Sequence, residues 1–379
     1  MRLVVLGPGH PFRGGIATTT TAAVASLRAR GHEVSFLTPR RQYPAWLFPG
    51  RGGGRDPEAC PLLPGSEAVL DPVFPPAWPR ARRAAQGAGA DAWLLPYWTW
   101  AWAGCWRYLL GGERPAVVAI VHNPADHDAG WAQRLAARSV LSRCDGLFTH
   151  AETLAGRLRR DYPGLPCEAH PLPATATGEL LDRAMARRAL GLPADGRVAV
   201  FAGLIRPYKG VDLLLDAVAS LPAASDWRLV IAGEAWSGLG HRLQRRAAEP
   251  DLAGRVRLDL RWQSEAELRA LLSAADLVVL PYRDGSQSAM APLVLAAGVP
   301  VLSTRVGGLA EVIEDGVNGR LVAPGSAEAL AAALAALDRE RLDALAAGAR
   351  RTVSRLTWSG YAAALEGLLE RVSRRGCGS

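Results

Sequence analysis

FAGLIRPYKGVDLLLDAV, residues 201–218, reads as a strand end, a short basic loop and the start of a helix. FAG closes an apolar run at Gly203, and Val211 to Val218 puts Leu and Val on one face at helical spacing. Arg206 and Lys209 fall on the loop that enters the helix, and Gly210 lets the backbone approach closely. Backbone N–H groups, the helix dipole and two cations at that point all favour an anion such as phosphate. Lys209 is also the only lysine among 44 basic residues. An ammonium is a compact point charge that sits between two phosphoryl oxygens, whereas a guanidinium is a planar fork. That difference explains a lysine retained here; the plain alternative is a surface charge.

Outward from this stretch the same grammar repeats. RVAVFAG, WRLVIAG, RVRLDL, DLVVLP and VPVLST are short apolar runs, each followed by a helix-like stretch. The first half holds RLVVLG, EVSFLT, DAWLLP, AVVAIVHN and DGLFTH, with the helical stretch IATTTTAAVASLRARG closed by Gly31. Strand–loop–helix alternation predicts α/β architecture with parallel, doubly wound sheets. PLPATATGELLD, residues 171–182, reads as a linker, which gives a Rossmann-like domain over 1–175 and a second over 183–357, with 358–379 as a terminal helix. Residues 50–76, with GRGGG and many prolines, read as irregular loop. Two such sheets are expected to face across a cleft at the carboxyl ends of their strands, where open α/β sheets bind ligands.

Length and composition agree: 379 residues with 49% hydrophobic and 21% charged suit two globular domains. Residues 1–190 carry 22 arginines against 15 acids, whereas residues 191–379 carry 22 basic residues against 21 acids. An excess confined to one half suits an anionic partner, a membrane surface or a phosphorylated acceptor, and equally a solvated basic face. Nucleic acid is not an expected partner. Cys60, Cys105, Cys144, Cys167 and Cys377 are odd in number and form no C-x-x-C pair, which fits reduced thiols in a cytoplasmic protein. MRLVVLGPGHPF is too short for a signal-peptide core, and Trp93 to Trp106 is too short to span a bilayer. The expected location is the cytoplasm, with peripheral contact at the inner face of the membrane left open.

A second anion-friendly loop opens the chain. PGHPFRGGI sets Gly14 and Gly15 before a helix, with Arg13 beside them. A dinucleotide fingerprint needs glycine where Phe12 stands and an acid where Thr38-Pro39-Arg40 stands, which argues against NAD and leaves only a weak NADP variant. His10 and Arg13 are candidates for acceptor contact or plain loop residues. PYWTWAWAGCWRYLL places Trp98, Trp102 and Trp106 on one stripe if helical, either a core face or an aromatic wall; Trp100 lies off the stripe. HNPADHD (His122, Asp126, His127, Asp128) matches no metal-ligand spacing, and no metal is expected. His150 and His170 follow strand-like runs, and PRARRAAQ reads as a solvated helix face.

G-x-x-R-x-x-K-G before a helix, then VIAGE, YRDGSQSAMAPLVLAAGVPV and TRVGGLAEVIEDGVNGRLV, resembles family 4 nucleotide-sugar glycosyltransferases of the GT-B fold. GPGHPFRGG, HNP at 122–124 and TWSGYAAALEGLL resemble the same family, so the likeness covers nearly the whole chain. The resemblance implies two Rossmann-like domains, with the last helix crossing back to the first. It also implies sugar transfer from a nucleotide diphosphate, UDP- or GDP-linked, to a hydroxyl acceptor, with retention, without metal and without a separate cofactor. On it, Arg206 and Lys209 hold the donor diphosphate, Gly14 and Gly15 approach the same phosphates, and His122 lines the transfer site with Asn123 beside it. Glu234 lies near the nucleoside and Trp262 stacks on the base. The family often has two glutamates eight residues apart; here those positions are Gly285 and Leu293, with Asp284 one residue off the first. A branch with Q-S-G in this loop is closer, and here the loop reads Gln287-Ser288-Ala289. Gln287 and Ser288 are then expected to bond the donor sugar while the helix start faces phosphate. The missing pair keeps two alternatives open: a GT-B module that binds without transferring, and a sugar-nucleotide epimerase.

Overall fold

The structure is a computed structural model, and it describes residues 1–43, 63–124, 130–174, 178–236 and 238–376. It divides into two units: Met1–Pro171 with Trp358–Ser379, and Leu172–Thr357. The first holds seven parallel strands: β1 (Arg2–Leu6), β2 (Glu33–Pro39), β3 (Ser66–Leu70), β4 (Ala92–Tyr97), β5 (Ala116–Val121), β6 (Gly146–Thr149) and β7 (Cys167–Ala169). Their order is β3-β2-β1-β4-β5-β6-β7. RLVVL shows why helices cover both faces. Leu3 and Val5 enter one core with Val24 and Leu27, while Val4 and Leu6 enter the other with Trp93 and Trp106. A strand apolar on both sides needs a layer on each.

One of those layers comes from the far end of the chain. The helix Trp358–Gly376 puts Tyr361, Leu365, Leu368, Leu369 and Val372 into the core against β5 and β6, and all five are nearly inaccessible. Its N-terminal turn is tied by Ser26 Oγ, which donates to the Trp358 carbonyl at 2.9 Å. Glu366 accepts from Arg30 Nε at 2.9 Å and lies 3.2 Å from His32 Nε2.

The second unit has six parallel strands: β8 (Arg197–Ala202), β9 (Trp227–Ala232), β10 (Val256–Asp259), β11 (Leu277–Leu280), β12 (Val301–Thr304) and β13 (Gly319–Val322). Their order is β10-β9-β8-β11-β12-β13. Each sheet therefore reverses its winding once, between β1 and β4 in the first and between β8 and β11 in the second. Among the described residues no helix is long and apolar enough to cross a membrane.

Several sequence expectations change. Residues 50–76 are not all loop: Ser66–Leu70 pairs in parallel with β2, with a shift of register between Thr38 and Pro39. Only Val69 and Leu70 of that strand are buried, so its apolar pattern is too short to stand out. The edge strands β7 and β13 are absent from the sequence-based list for the same reason; each is short and partly polar. Trp98 does not lie on a helix, because β4 ends at Tyr97 and a single 3₁₀ turn, Trp100–Trp102, precedes the helix Ala103–Leu109. The three rings still meet: Trp98–Trp102 centroids are 5.3 Å apart and Trp102–Trp106 are stacked at 4.8 Å. All three are buried, with Trp102 Nε1 donating to the Gln42 carbonyl and Trp98 Nε1 to the Tyr43 hydroxyl. The stripe is core.

Candidate functional site

In the second unit the loop residues singled out from sequence gather at the carboxyl ends of four adjacent strands. Gly203–Lys209 follows β8, Glu234 follows β9, Trp262 follows β10, and Asp284–Ala289 follows β11. The β8 loop first runs beside the β9 loop: Ile205 N–H donates to the Glu234 carbonyl at 2.8 Å, and Trp236 N–H to the Ile205 carbonyl at 3.1 Å. It then turns through a 3₁₀ turn, Pro207–Lys209, and enters the helix Val211–Ala219 at Gly210. Gly210 has φ 65°, and a Cβ there would stand 2.0 Å from the Pro281 carbonyl oxygen. No side chain fits, so the β8 and β11 loops touch backbone to backbone.

The two cations are held by aromatic faces. The Arg206 guanidinium lies 4.0 Å from the centroid of Trp236, and Lys209 Nζ lies 5.2 Å from that of Tyr282. Such contacts orient a cation and leave its charge largely unspent. Lys209 is half-buried, and loss of hydration lowers its pKa, with Arg206 adding to the effect and Tyr208 opposing it. Among the described residues no carboxylate lies within ion-pair distance of Arg206 or Lys209. Their neighbour Arg283 differs: its guanidinium grips Asp212 through two bonds of 2.7 and 2.8 Å and donates to the Pro207 carbonyl. The acid of the first helical turn is thereby occupied, and the two cations on the loop carry net positive charge. Trp236 and Tyr282 were not assigned from sequence; the signal was an aromatic within four residues of each strand end.

The β11 loop is pinned. Gly308 N–H donates to the Ser286 carbonyl at 2.9 Å, and a Cβ on Gly307 would meet the Gly285 carbonyl oxygen at 1.9 Å. Asp284 is exposed, and its Oδ1 accepts from Gly285 N–H at 2.7 Å. Ser288 Oγ accepts from Met290 N–H at 3.2 Å and lies 3.4 Å from the Tyr282 hydroxyl, just ahead of the short helix Met290–Ala296. Gln287 is half-buried, Ala289 precedes that helix, and Leu293 packs against the core. Glu234 and Trp262 are half-buried; Trp262 stands two strands away from the cations.

In the first unit the singled-out residues also share one sheet edge. Gly14 and Gly15 follow β1, Trp100 follows β4, and His122 and Asn123 follow β5, on three adjacent strands. Gly14 has φ 99° with nothing within 4 Å of a built Cβ, and Gly15 begins the helix Gly15–Ala29. Phe12, which replaces the fingerprint glycine, is buried, while His10, Arg13, Trp100 and Asn123 are half-buried. His10 N–H donates to Thr21 Oγ1 at 3.0 Å. His122 is buried, its N–H donates to the Tyr97 carbonyl at 2.9 Å, and burial pulls its pKa down to about 3. Its ring lies 4.7 Å from that of His150, also held neutral by burial with His122 beside it, and His150 stacks on Tyr361. Both rings are therefore neutral near pH 7.

Asp126, His127 and Asp128 lie outside the described residues, as do Cys60 and Cys377. Among the described residues no group of three or more His, Cys, Asp or Glu is arranged to hold a metal ion.

Comparison with known proteins adds a family to each unit. Residues 13–172 match the model for "Glycosyltransferase Family 4", and residues 196–339 match that for "Glycosyl transferases group 1". A D-inositol 3-phosphate glycosyltransferase from Thermobispora bispora is 41% identical over 206 residues, 51% of this chain and 48% of that protein. One of the same name from Mycobacterium leprae is 40% identical over 215 residues, 54% of this chain and 49% of that protein. The match thus spans about half the length of these curated relatives. Among solved structures, sucrose-phosphate synthase from Thermosynechococcus elongatus superposes with a TM-score of 0.79 at 20% identity, covering 98% of this chain and 99% of that one. Anabaena Alr3699/HepE in complex with UDP-glucose gives 0.74 at 15% identity, covering 100% of both. At these identities the structures establish the fold.

Proposed function

The chain belongs to the family 4 glycosyltransferases of the GT-B fold, and from that premise we propose that it moves a sugar from a nucleotide diphosphate to an acceptor hydroxyl, with retention and without metal. One observation carries the proposal: Arg206 and Lys209, side by side at the switch point of the second sheet, have no carboxylate partner among the described residues. A cation pair left unneutralised on a strand-end loop suits a diphosphate. The solved GT-B neighbour with bound UDP-glucose supports a uridine-linked hexose as the first donor to test, with a GDP-linked sugar as the second. The relatives named for D-inositol 3-phosphate support a phosphorylated polyol as the first acceptor class.

The chemistry asks little of side-chain acids and bases. Negative charge grows on the leaving diphosphate, and a cation about 4 Å away is worth roughly 4 kcal/mol at an effective dielectric near 20. Each ~1.4 kcal/mol is about tenfold in rate, so Lys209 supplies up to ~10³. A donor phosphate oxygen takes the acceptor proton as the leaving group departs. The neutral His122 ring offers a hydrogen-bonding group without a competing charge. Gln287 holds the donor sugar, and Ser288 shapes the loop that presents it.

Gly285 and Leu293, at the positions where acids often stand, support a second proposal: a module that binds nucleotide sugar and transfers nothing. Turnover separates them. Purified protein given UDP-sugars and candidate polyol phosphates releases UDP and forms a glycoside under the first proposal. Donor binding with no product across acceptors selects the second, and a new sugar nucleotide formed without acceptor would mean epimerisation.

A further inference from the structure

One helix of the first unit is apolar on both sides. Trp131–Leu141 turns Ala137, Val140 and Leu141 into the core that it shares with β4 and β5. A helix laid on a sheet ordinarily gives its opposite side to polar residues. Here that side presents Trp131 and Leu135, one turn apart, which are 79% and 59% exposed. Arg134 and Arg138, also exposed, flank them. Three more helices cover the same side of the sheet, because Ala81 of Trp78–Gly87, Leu109 of Ala103–Leu109 and Leu158 of Glu152–Asp161 enter that core too. On their outer surface Tyr108 is exposed beside Trp78, with ring centroids 5.8 Å apart. Phe74, exposed as well, precedes the 3₁₀ turn that leads into Trp78.

The charge of this layer is one-sided. The four helices hold nine arginines against two acids, Glu152 and Asp161. Glu152 is taken by Arg159, and Arg80 lies 3.6 Å from Glu67 of β3. In the connecting loops Asp71, Asp91 and Asp145 are paired to Arg41, Arg2 and Arg114, arginines outside the four helices. Counting Glu67 and the loop acids Glu113, Asp126 and Asp128 against the nine still leaves the layer positive. Among the described residues no carboxylate lies within ion-pair distance of Arg107, Arg134 or Arg138.

We propose that this helix layer docks on an anionic lipid bilayer, with Trp131 and Leu135 at the acyl boundary and Arg134 and Arg138 on the lipid phosphates. An aromatic and an aliphatic side chain one turn apart gain by leaving water, while guanidinium groups on long stems stay at headgroup level. The positive layer around them is attracted to the anionic surface. A second copy of the chain is a poorer occupant, since a two-fold contact would set the same arginines against themselves. The docking does not depend on the proposed sugar transfer.

Co-sedimentation of the full chain with extruded vesicles tests it, with phosphatidylcholine alone and phosphatidylcholine holding about one-third phosphatidylglycerol. The protein is expected to bind the anionic vesicles and to lose that binding as salt rises. Trp131→Ser/Leu135→Ser trims exposed side chains only, so the fold stands, and it is expected to weaken binding about tenfold or more. Arg134→Gln/Arg138→Gln is expected to do the same. Met185→Ser, which trims an apolar side chain 64% exposed on the other unit, is expected to change nothing. The proposal is overturned by no binding at millimolar anionic lipid, by equal binding to the uncharged vesicles, or by unchanged binding in either double variant. A lipid-free dimer that Trp131→Ser/Leu135→Ser dissolves would give the face to a second copy and overturn it as well.

Discussion

The loop after β1 and the loop after β8 occupy equivalent places in two sheets of the same winding, yet the first carries one cation, Arg13, and the second carries two. PGHPFRGG ends in glycines, and the ring found two strands along, His122, is held neutral by burial. LIRPYKG carries two cations on aromatic faces, without a carboxylate partner among the described residues, and needs Gly210 to touch a neighbouring loop. Topology therefore sets where a loop stands, and the loop's own residues decide what it attracts. Under the proposed function, the single cation of the first loop, Arg13, suits a phosphorylated acceptor, and the two of the second suit a leaving group that gains charge.

The sharpest way to break this contrast is Lys209→Ala, expected to lower kcat by ~10²–10³ through lost leaving-group stabilisation. Lys209→Arg should also be impaired, because a planar fork replaces a point charge; wild-type kcat in that variant would refute the distinction. Next comes Gly210→Val, which combines a left-handed backbone with a 2.0 Å clash. A loss of at least ~2 kcal/mol is expected in denaturant midpoints. Acid should tell the halves apart as well. The His122 pKa falls from 6.5 free to about 3 folded, so its contribution is full above pH 6.5 and is lost as pH drops towards 3. Melting curves across that window should show falling stability, by up to ~1.4 kcal/mol per pH unit from this one group, and a shallower slope in His122→Gln. The smallest effect expected is that of Arg283→Ala, which opens a half-exposed pair with Asp212 worth about 0–1 kcal/mol. Its KM for donor should rise severalfold at most, since the freed Asp212 then faces the loop cations.

Most of both sheets was legible because parallel strands buried on two faces are continuous apolar runs, as in RVAVFA and AVVAIV. SEAVL, CEA and GRLV escaped for the complementary reason: a strand at or near an edge needs few apolar residues, and its identity comes from pairing with a distant neighbour. The cations were legible as residue types on a strand–loop–helix pattern. Their supports were not, because Trp236 reaches Arg206 and Tyr282 reaches Lys209 only through contacts between separate loops. The neutrality of His122 depends on burial, which no local pattern records. The tryptophan stripe was visible as spacing, although a turn rather than a helix brings Trp98 into it.

The helix Trp358–Gly376 also fixes an order of events during synthesis. Since Tyr361 through Val372 complete the hydrophobic interior against β5 and β6, the amino-terminal portion emerges from the ribosome first yet finishes last. The portion from Leu172 to Thr357 is continuous in sequence and has all its own strands and helices before that final helix is translated. Nascent chains halted before residue 358 should therefore show a protease-resistant carboxyl-terminal core behind a still-cleavable amino-terminal one.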